Sequence, residues 1–155
     1  MVDDEGHVLE VVPRARMRAE NLRHRAVFIL VTASDGRVLV HRRSSTKDVW
    51  PGWWDLAVGG VVAAGEGWDQ AARRELAEEV GLDDVEPEWV GVGRYDDDKV
   101  RLVAHVYRLV HDGPFRFLDG EVVEARFVSA SELRELVSTQ PFLPDSRALV
   151  LPLVE

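Results

Sequence analysis

The stretch GVVAAGEGWDQAARRELAEEVGL, residues 60–82, holds the chain's clearest helix pattern and its densest group of acidic side chains. Apolar residues recur at helical spacing and predict a helix over residues 68–80 that packs one side on a sheet. These apolar positions are Ala72, Leu76 and Val80. Gly81 follows directly, in the place where a left-handed residue ends many helices. The stretch therefore predicts a helix docked on a core.

Three glutamates of this helix, Glu75, Glu78 and Glu79, fall on one narrow stripe, because positions i, i+3 and i+4 are neighbours on a helix surface. One interpretation is a solvated acidic face neutralised by Arg73 and Arg74. However, each arginine precedes the glutamate that it reaches, and the acidic residues crowd the C-terminal half, where the helix dipole opposes them. A hard divalent cation such as Mg²⁺ or Mn²⁺ explains the arrangement better, because it converts repulsion into coordination.

The residues just before the helix supply further candidate groups. Gly59 and Gly60 allow the backbone to approach a ligand closely, and a carbonyl group there can join the carboxylates around a metal ion. Glu66 either binds a cation through water or accepts hydrogen bonds from the start of the helix. The sequence leaves both roles of Glu66 open.

The composition excludes several classes of protein. The 155 residues suit one domain, residues 1–155, and contain no cysteine, so thiolate metal sites and cysteine nucleophiles are excluded. A net charge of −9 argues against binding to a nucleic acid polymer. No apolar run is long enough for a membrane span, and the acidic start MVDDEGHVLE lacks the features of a secretory signal. We therefore expect a cytoplasmic protein with a small-molecule partner.

The remaining pattern predicts an α/β fold with a mixed β-sheet and helices on both faces. The predicted strands are residues 25–33, 37–43, 54–62, 88–95, 100–110 and 124–130. Asp35 and Gly36 mark a hairpin turn between the first two. Ser131 is predicted to cap a helix over residues 132–137, and a last helix covers residues 146–151.

The acidic helix and its flanks resemble the Nudix box, G-x5-E-x7-R-E-U-x-E-E-x-G-U, in which U is a bulky aliphatic residue. Every specified position is filled, by Gly60, Glu66, Arg74, Glu75, Leu76, Glu78, Glu79, Gly81 and Leu82. The resemblance implies a single Nudix domain, an α/β/α sandwich, with its box at residues 60–82.

The resemblance also implies an activity, the hydrolysis of a nucleoside diphosphate linked to another moiety, with Mg²⁺ or Mn²⁺ as cofactor. It makes Glu78 and Glu79 metal ligands, Glu75 a ligand or the base that deprotonates water, and Arg74 the residue that orients a glutamate. The carbonyl region of Gly60 completes the metal shell. A homodimer is the default expectation for the family.

Residues outside the box complete the predicted site. Many Nudix proteins use another carboxylate from a loop before a late strand as ligand or base, and Glu121 and Glu124 are the best candidates, with residues 96–98 as the alternative. A diphosphate is expected to contact basic side chains upstream of the box, since arginine suits phosphate binding. These are Arg42, Arg43 and Lys47, for which a solvated turn is the competing interpretation.

The stretch HRRSSTKDVWPGWWDLAVGG, residues 41–60, is similar to the Nudix branch that resembles isopentenyl diphosphate isomerase. His24 matches a metal-binding histidine of that enzyme. Two departures speak against isomerase chemistry, because Gly59 stands where the isomerase carries its essential cysteine and Val61 where it carries a metal-binding histidine. The alternatives to a hydrolase are thus an isomerase-like enzyme and a nucleotide-binding module without catalysis.

Overall fold

The computed structural model describes residues 1–46, 50–117 and 122–154. Its elements are α1 (Arg14–Ala19), β1 (Arg23–Thr32), β2 (Val38–Arg43), β3 (Trp54–Asp55), β4 (Val58–Val61), α2 (Trp68–Val80), β5 (Glu88–Asp96), β6 (Arg101–Val110), β7 (Val122–Val128), α3 (Ala130–Thr139), α4 (Pro144–Leu149) and a 3₁₀ turn, Leu151–Leu153. Among the described residues, no helix has the length and apolar character needed to cross a bilayer.

The seven strands form one mixed sheet with β1 at its centre. Strand β1 runs parallel to β6 along its whole length and antiparallel to β4 and β2. Strand β4 pairs with the middle of β1, with Val27 opposite Gly60, whereas β2 pairs with β1 at Thr32. Strand β2 also pairs with β3 and β7, and β5 lies outside β6. The strand that precedes the box helix is therefore inserted directly beside the central strand.

Alternate side chains of β1 enter two separate cores, one on each face of the sheet. Val27, Ile29 and Val31 pack against α2 in one core. Phe28 and Leu30 belong to the other core, together with residues of α3. Because a strand directs successive side chains to opposite faces, an almost unbroken apolar run is required for a strand covered on both sides. The predicted α/β sandwich with a mixed sheet and helices on both faces is confirmed.

Several predicted boundaries need correction. Helix α2 spans Trp68–Val80 as predicted and ends at Gly81, whose φ is +72°. The single strand predicted over residues 54–62 is instead divided into β3 and β4. The cap of α3 is Ser129 rather than Ser131, because the Ser129 hydroxyl accepts a hydrogen bond from the Glu132 backbone N–H at 3.1 Å.

Two short helices also differ from the sequence prediction. Helix α4 begins at Pro144 and ends at Leu149, earlier than the predicted residues 146–151. Helix α1 was not predicted from the sequence. Its N-cap, Pro13, makes no side-chain hydrogen bond to the helix, so the usual signal for a helix start is missing.

Candidate active site

Arg74 connects the acidic residues of the box to one another and to β4. Its Nε donates to Glu66 Oε2 at 2.7 Å and its Nη2 to Glu66 Oε1 at 2.9 Å, a two-pronged pair. Its Nη2 also donates to the Val61 carbonyl at 3.1 Å. Its Nη1 donates to Glu75 at 2.8 Å and to Glu78 at 3.1 Å. The hydrogen bonds from Arg74 are the main reason why the pKa of Glu66 is lowered.

Glu75 lies directly against the backbone of β4. A Cβ atom on Gly60 would stand 2.3 Å from Glu75 Oε1, so any larger residue would displace this carboxyl group from its present position. Burial, reinforced by the charge of Glu79 and opposed by Arg74, raises the pKa of Glu75 to about 7. A carboxyl group with such a pKa can exchange a proton near neutral pH, as the predicted role of base requires.

Glu79 is held by a buried histidine that sequence reasoning did not select. Its Oε1 lies 3.1 Å from His41 Nε2, and its Oε2 accepts a hydrogen bond from the Gly59 N–H at 3.4 Å. The geometry at His41 Nε2 falls outside hydrogen-bond limits, so this contact is an ion pair rather than an aligned hydrogen bond. Burial disfavours the imidazolium, but Glu79 and the charge of Asp55 outweigh it, and the pKa of His41 is raised.

The oxygen donors of α2 fit a hard divalent cation. Glu79 lies close enough to Glu75 for its charge to raise the pKa of Glu75, and a cation would relieve this repulsion. Glu78 is 57% exposed on the same helix and is paired with Arg74. Within the part of the chain that the structure describes, no three carboxylate, imidazole or thiol side chains converge as a ready-made metal centre. Arg74 and His41 orient these glutamates instead.

The predicted groups outside the box lie in different surroundings. Glu124, on β7, is opposite Arg42 of β2, with Oε2 3.8 Å from the arginine Nε, and both side chains are about half exposed. Among the alternatives at residues 96–98, Asp96 pairs with Arg23 and Asp97 accepts hydrogen bonds from its own turn. Lys47 and Glu121 lie outside the described residues. The roles proposed for Glu124 and Arg42 stay predictions.

A cavity of about 1060 Å³ extends from the box to the N-terminal segment. Arg74, Glu75 and Glu78 line it at the box, and Arg43, one of the predicted phosphate-binding residues, also lines it. His24 also lines the cavity, and burial lowers its pKa to about 4, so the imidazole is neutral at physiological pH. The cavity is large enough for a nucleotide-sized ligand.

The backbone around Gly59 leaves no room for the cysteine of an isomerase. A Cβ atom at this position would stand 2.0 Å from the carbonyl oxygen of Val27, on the strand that pairs with β4. Every residue other than glycine carries that atom. The position therefore excludes a thiol as long as β1 and β4 remain paired.

Asp145, a buried carboxyl group of the cavity wall, gives a prediction about stability. Burial, together with the charge of Asp55, raises its pKa to about 7 from an ordinary value of 3.8. The folded protein therefore holds this proton more tightly than the unfolded chain, and the associated stabilisation is lost as the pH rises from about 4 to about 7. The amide introduced by Asp145→Asn does not titrate. The variant is thus expected to gain stability relative to the parent protein with rising pH, by up to about 4 kcal/mol between pH 4 and pH 8.

Urea unfolding of both proteins at pH 4, 6 and 8 measures this difference. Asp112→Asn is the control, because Asp112 is exposed and hydrogen bonds from Ser34 lower its pKa. The control should show no gain with rising pH. A difference between Asp145→Asn and the parent that stays constant with pH would contradict the assignment.

Comparison with known proteins agrees with the box geometry. The family model described as "NUDIX domain" matches residues 22–149. The chain belongs to the Nudix family. This span includes all seven strands of the sheet and the whole box, so the Nudix assignment covers the fold as well as the motif.

Similar Nudix proteins span nearly the whole chain. The uncharacterized Nudix hydrolase PA4841 of Pseudomonas aeruginosa is 40% identical over 145 residues, which cover 94% of this chain and 86% of the relative. The uncharacterized Nudix hydrolase YfcD of Escherichia coli is 38% identical over 152 residues, which cover 97% of this chain and 83% of the relative. The chain is therefore placed among the Nudix hydrolases.

Solved structures agree on the fold. DR0079 of Deinococcus radiodurans superposes with a TM-score of 0.75 at 22% identity. The match covers 99% of this chain and 94% of the DR0079 chain. The NUDIX domain of Shewanella oneidensis NrtR, solved in complex with ADP ribose, has a TM-score of 0.67 and 16% identity, with coverages of 90% and 95%. At 22% and 16% identity, these similarities support the fold of this Nudix protein but not its substrate.

Proposed function

We propose that this Nudix protein hydrolyses the pyrophosphate linkage of a nucleoside diphosphate joined to another moiety, with Mg²⁺ or Mn²⁺ as cofactor. One observation carries the proposal: Glu79, which is buried, and Glu75, which is partly buried, lie one helical turn apart on α2 against the backbone at residues 59–60. Glu75, Glu78 and Glu79, with the Gly60 carbonyl and Glu121, would hold the metal. The ion neutralises the dense charge of a pyrophosphate and lowers the pKa of bound water.

The side chains of this protein supply the remaining chemistry. Arg74 occupies Oε1 of Glu75, which leaves Oε2 to take the proton of the attacking water. His41 and the Gly59 N–H hold the two oxygens of Glu79. Arg43, in the cavity wall, would bind the phosphate that does not react.

One comparison with a known protein and one feature of this structure bear on the choice of substrate. The NrtR domain was solved with ADP ribose, which is a nucleoside diphosphate linked to a sugar and belongs to the proposed class. An isomerase acting on a prenyl diphosphate is disfavoured, because a Cβ atom at Gly59 collides with the Val27 carbonyl. A hydrolase of nucleotide-type substrates therefore remains the best-supported function.

A substrate screen tests the proposal. Purified protein is incubated with Mg²⁺ or Mn²⁺ and a panel of nucleoside di- and triphosphates, nucleotide sugars, dinucleoside polyphosphates and coenzyme conjugates. We expect ³¹P NMR to detect cleavage of at least one compound, and excess EDTA to stop it. Absence of cleavage with both metals would contradict the proposal. Deuterium uptake into isopentenyl diphosphate would support the isomerase.

A further inference from the structure

Two buried carboxyl groups outside the box, Asp55 and Asp145, line the same cavity as Glu75. They are 5% and 6% exposed and lie 90 positions apart in the sequence. Backbone hydrogen bonds bring them together: the Trp54 N–H donates to the Pro141 carbonyl and the Leu143 N–H donates to the Trp54 carbonyl, both at 2.9 Å. The start of α4 is thereby fixed beside β3.

Each of these carboxyl groups has one oxygen that accepts no hydrogen bond from the residues that the structure describes. Asp55 Oδ1 accepts from the Ala57 N–H at 3.0 Å, and Asp145 Oδ1 accepts from the Ser146 N–H at 2.8 Å. Neither Oδ2 atom has a hydrogen bond within the described residues, and neither is sealed from the cavity. A buried polar group is normally hydrogen-bonded, so each of these two acceptors requires a donor in the cavity, which is either water or a ligand.

The wall around the two carboxyl groups is apolar and partly aromatic. It is formed by Ala26, Phe28, Trp50, Leu102 and Leu143. Flat aromatic walls with a few polar groups at fixed places are typical of sites that bind a planar ring. A prenyl chain would fit the apolar wall but would leave both carboxyl groups buried against hydrocarbon, at a high cost in free energy.

We propose that this part of the cavity holds the nucleobase of the substrate, and that Asp55 and Asp145 select a base with an exocyclic amino group. The inference rests on the proposed function in that it requires a nucleotide substrate. An amino group has two N–H donors and can direct one to each carboxyl oxygen. A keto oxygen in the same place would face at least one ionised carboxylate and be repelled.

The charged groups around Asp55 and Asp145 are consistent with a ligand that donates hydrogen bonds from an uncharged amino group. Arg43 lines the same cavity and its charge opposes the rise in the pKa of Asp145, which burial and Asp55 bring to about 7. At pH 8 the carboxyl group of Asp145 is therefore mainly ionised and acts only as an acceptor. The preference for an amino group is expected to be strongest there.

Calorimetric titration at pH 8 with AMP and IMP, which differ at the amino position of the purine ring, tests the proposal. We expect the parent protein to bind AMP at least about tenfold more tightly than IMP, as for a good pair of hydrogen bonds to a base edge. In Asp145→Asn the preference should fall to within about twofold, because the amide offers a donor to the keto oxygen. Asp112→Asn, changed on the exposed surface, should keep the full preference.

NMR of the Trp50 indole N–H provides a second measurement, since AMP should shift this signal in the parent protein. Three results would overturn the proposal: equal binding of AMP and IMP, a preference that survives in folded Asp145→Asn, or no AMP binding at 10 mM. Neither nucleotide contains an anhydride, so the titration is independent of hydrolysis. A protein that prefers AMP but cleaves no substrate would contradict the proposed function alone.

Discussion

Glu79→Gln is expected to lower the rate of metal-dependent hydrolysis by at least about a thousandfold, comparable to the loss of a main stabilising group in other active sites. The amide keeps the shape of the side chain but removes the charge that both the cation and His41 require.

Turnover and metal binding should be measured together for this variant, with Mn²⁺ as the probe of binding. Glu86→Gln is the control, because Glu86 lies in the loop after α2 and forms an exposed ion pair with Arg73 of that helix. It is expected to keep full activity. If Glu79→Gln retains both its activity and its affinity for Mn²⁺, Glu79 is not a metal ligand.

Gly59→Ala is expected to destabilise the protein by about 3 kcal/mol or more, at the upper end of the usual cost of overpacking. The added Cβ atom would stand 2.0 Å from the Val27 carbonyl oxygen, and relief requires β4 to move away from β1. For a chain of this length the melting temperature should fall by about 10 °C.

Gly91→Ala provides the control for this substitution. Gly91 also lies in a strand, β5, but a Cβ atom there meets no atom within 4 Å. Thermal unfolding followed by circular dichroism should show a change of only a few degrees. Equal melting temperatures for the two variants would contradict the proposed crowding between β1 and β4.

The parts of the fold that were predictable from the sequence have local causes. Helix α2 combines helical apolar spacing with a glycine at its end, and both signals lie within the segment itself. The cap of α3 was also readable, since Ser129 stands three positions before Glu132 as a capping box requires, whereas Ser131 does not. The division between β3 and β4 depends on neighbouring strands and has no local signal.

The candidate site was predictable only where its residues are close in sequence. The box residues follow one helix and the strand before it, so a motif identifies them together. His41 meets Glu79 across 38 positions, and Asp55 meets Asp145 across 90, which no spacing rule reveals. Likewise, the register of β2 against β7 decides that Glu124 faces Arg42.

The hydrogen bonds of Arg74 have a consequence for how this enzyme is assembled. A guanidinium that bridges Glu66, Glu75 and Glu78 acts as an internal counter-ion, so the acidic surface is already neutralised in part before any metal arrives. We therefore expect the protein to fold without a metal ion, and the proposed cation to bind a site that is already formed.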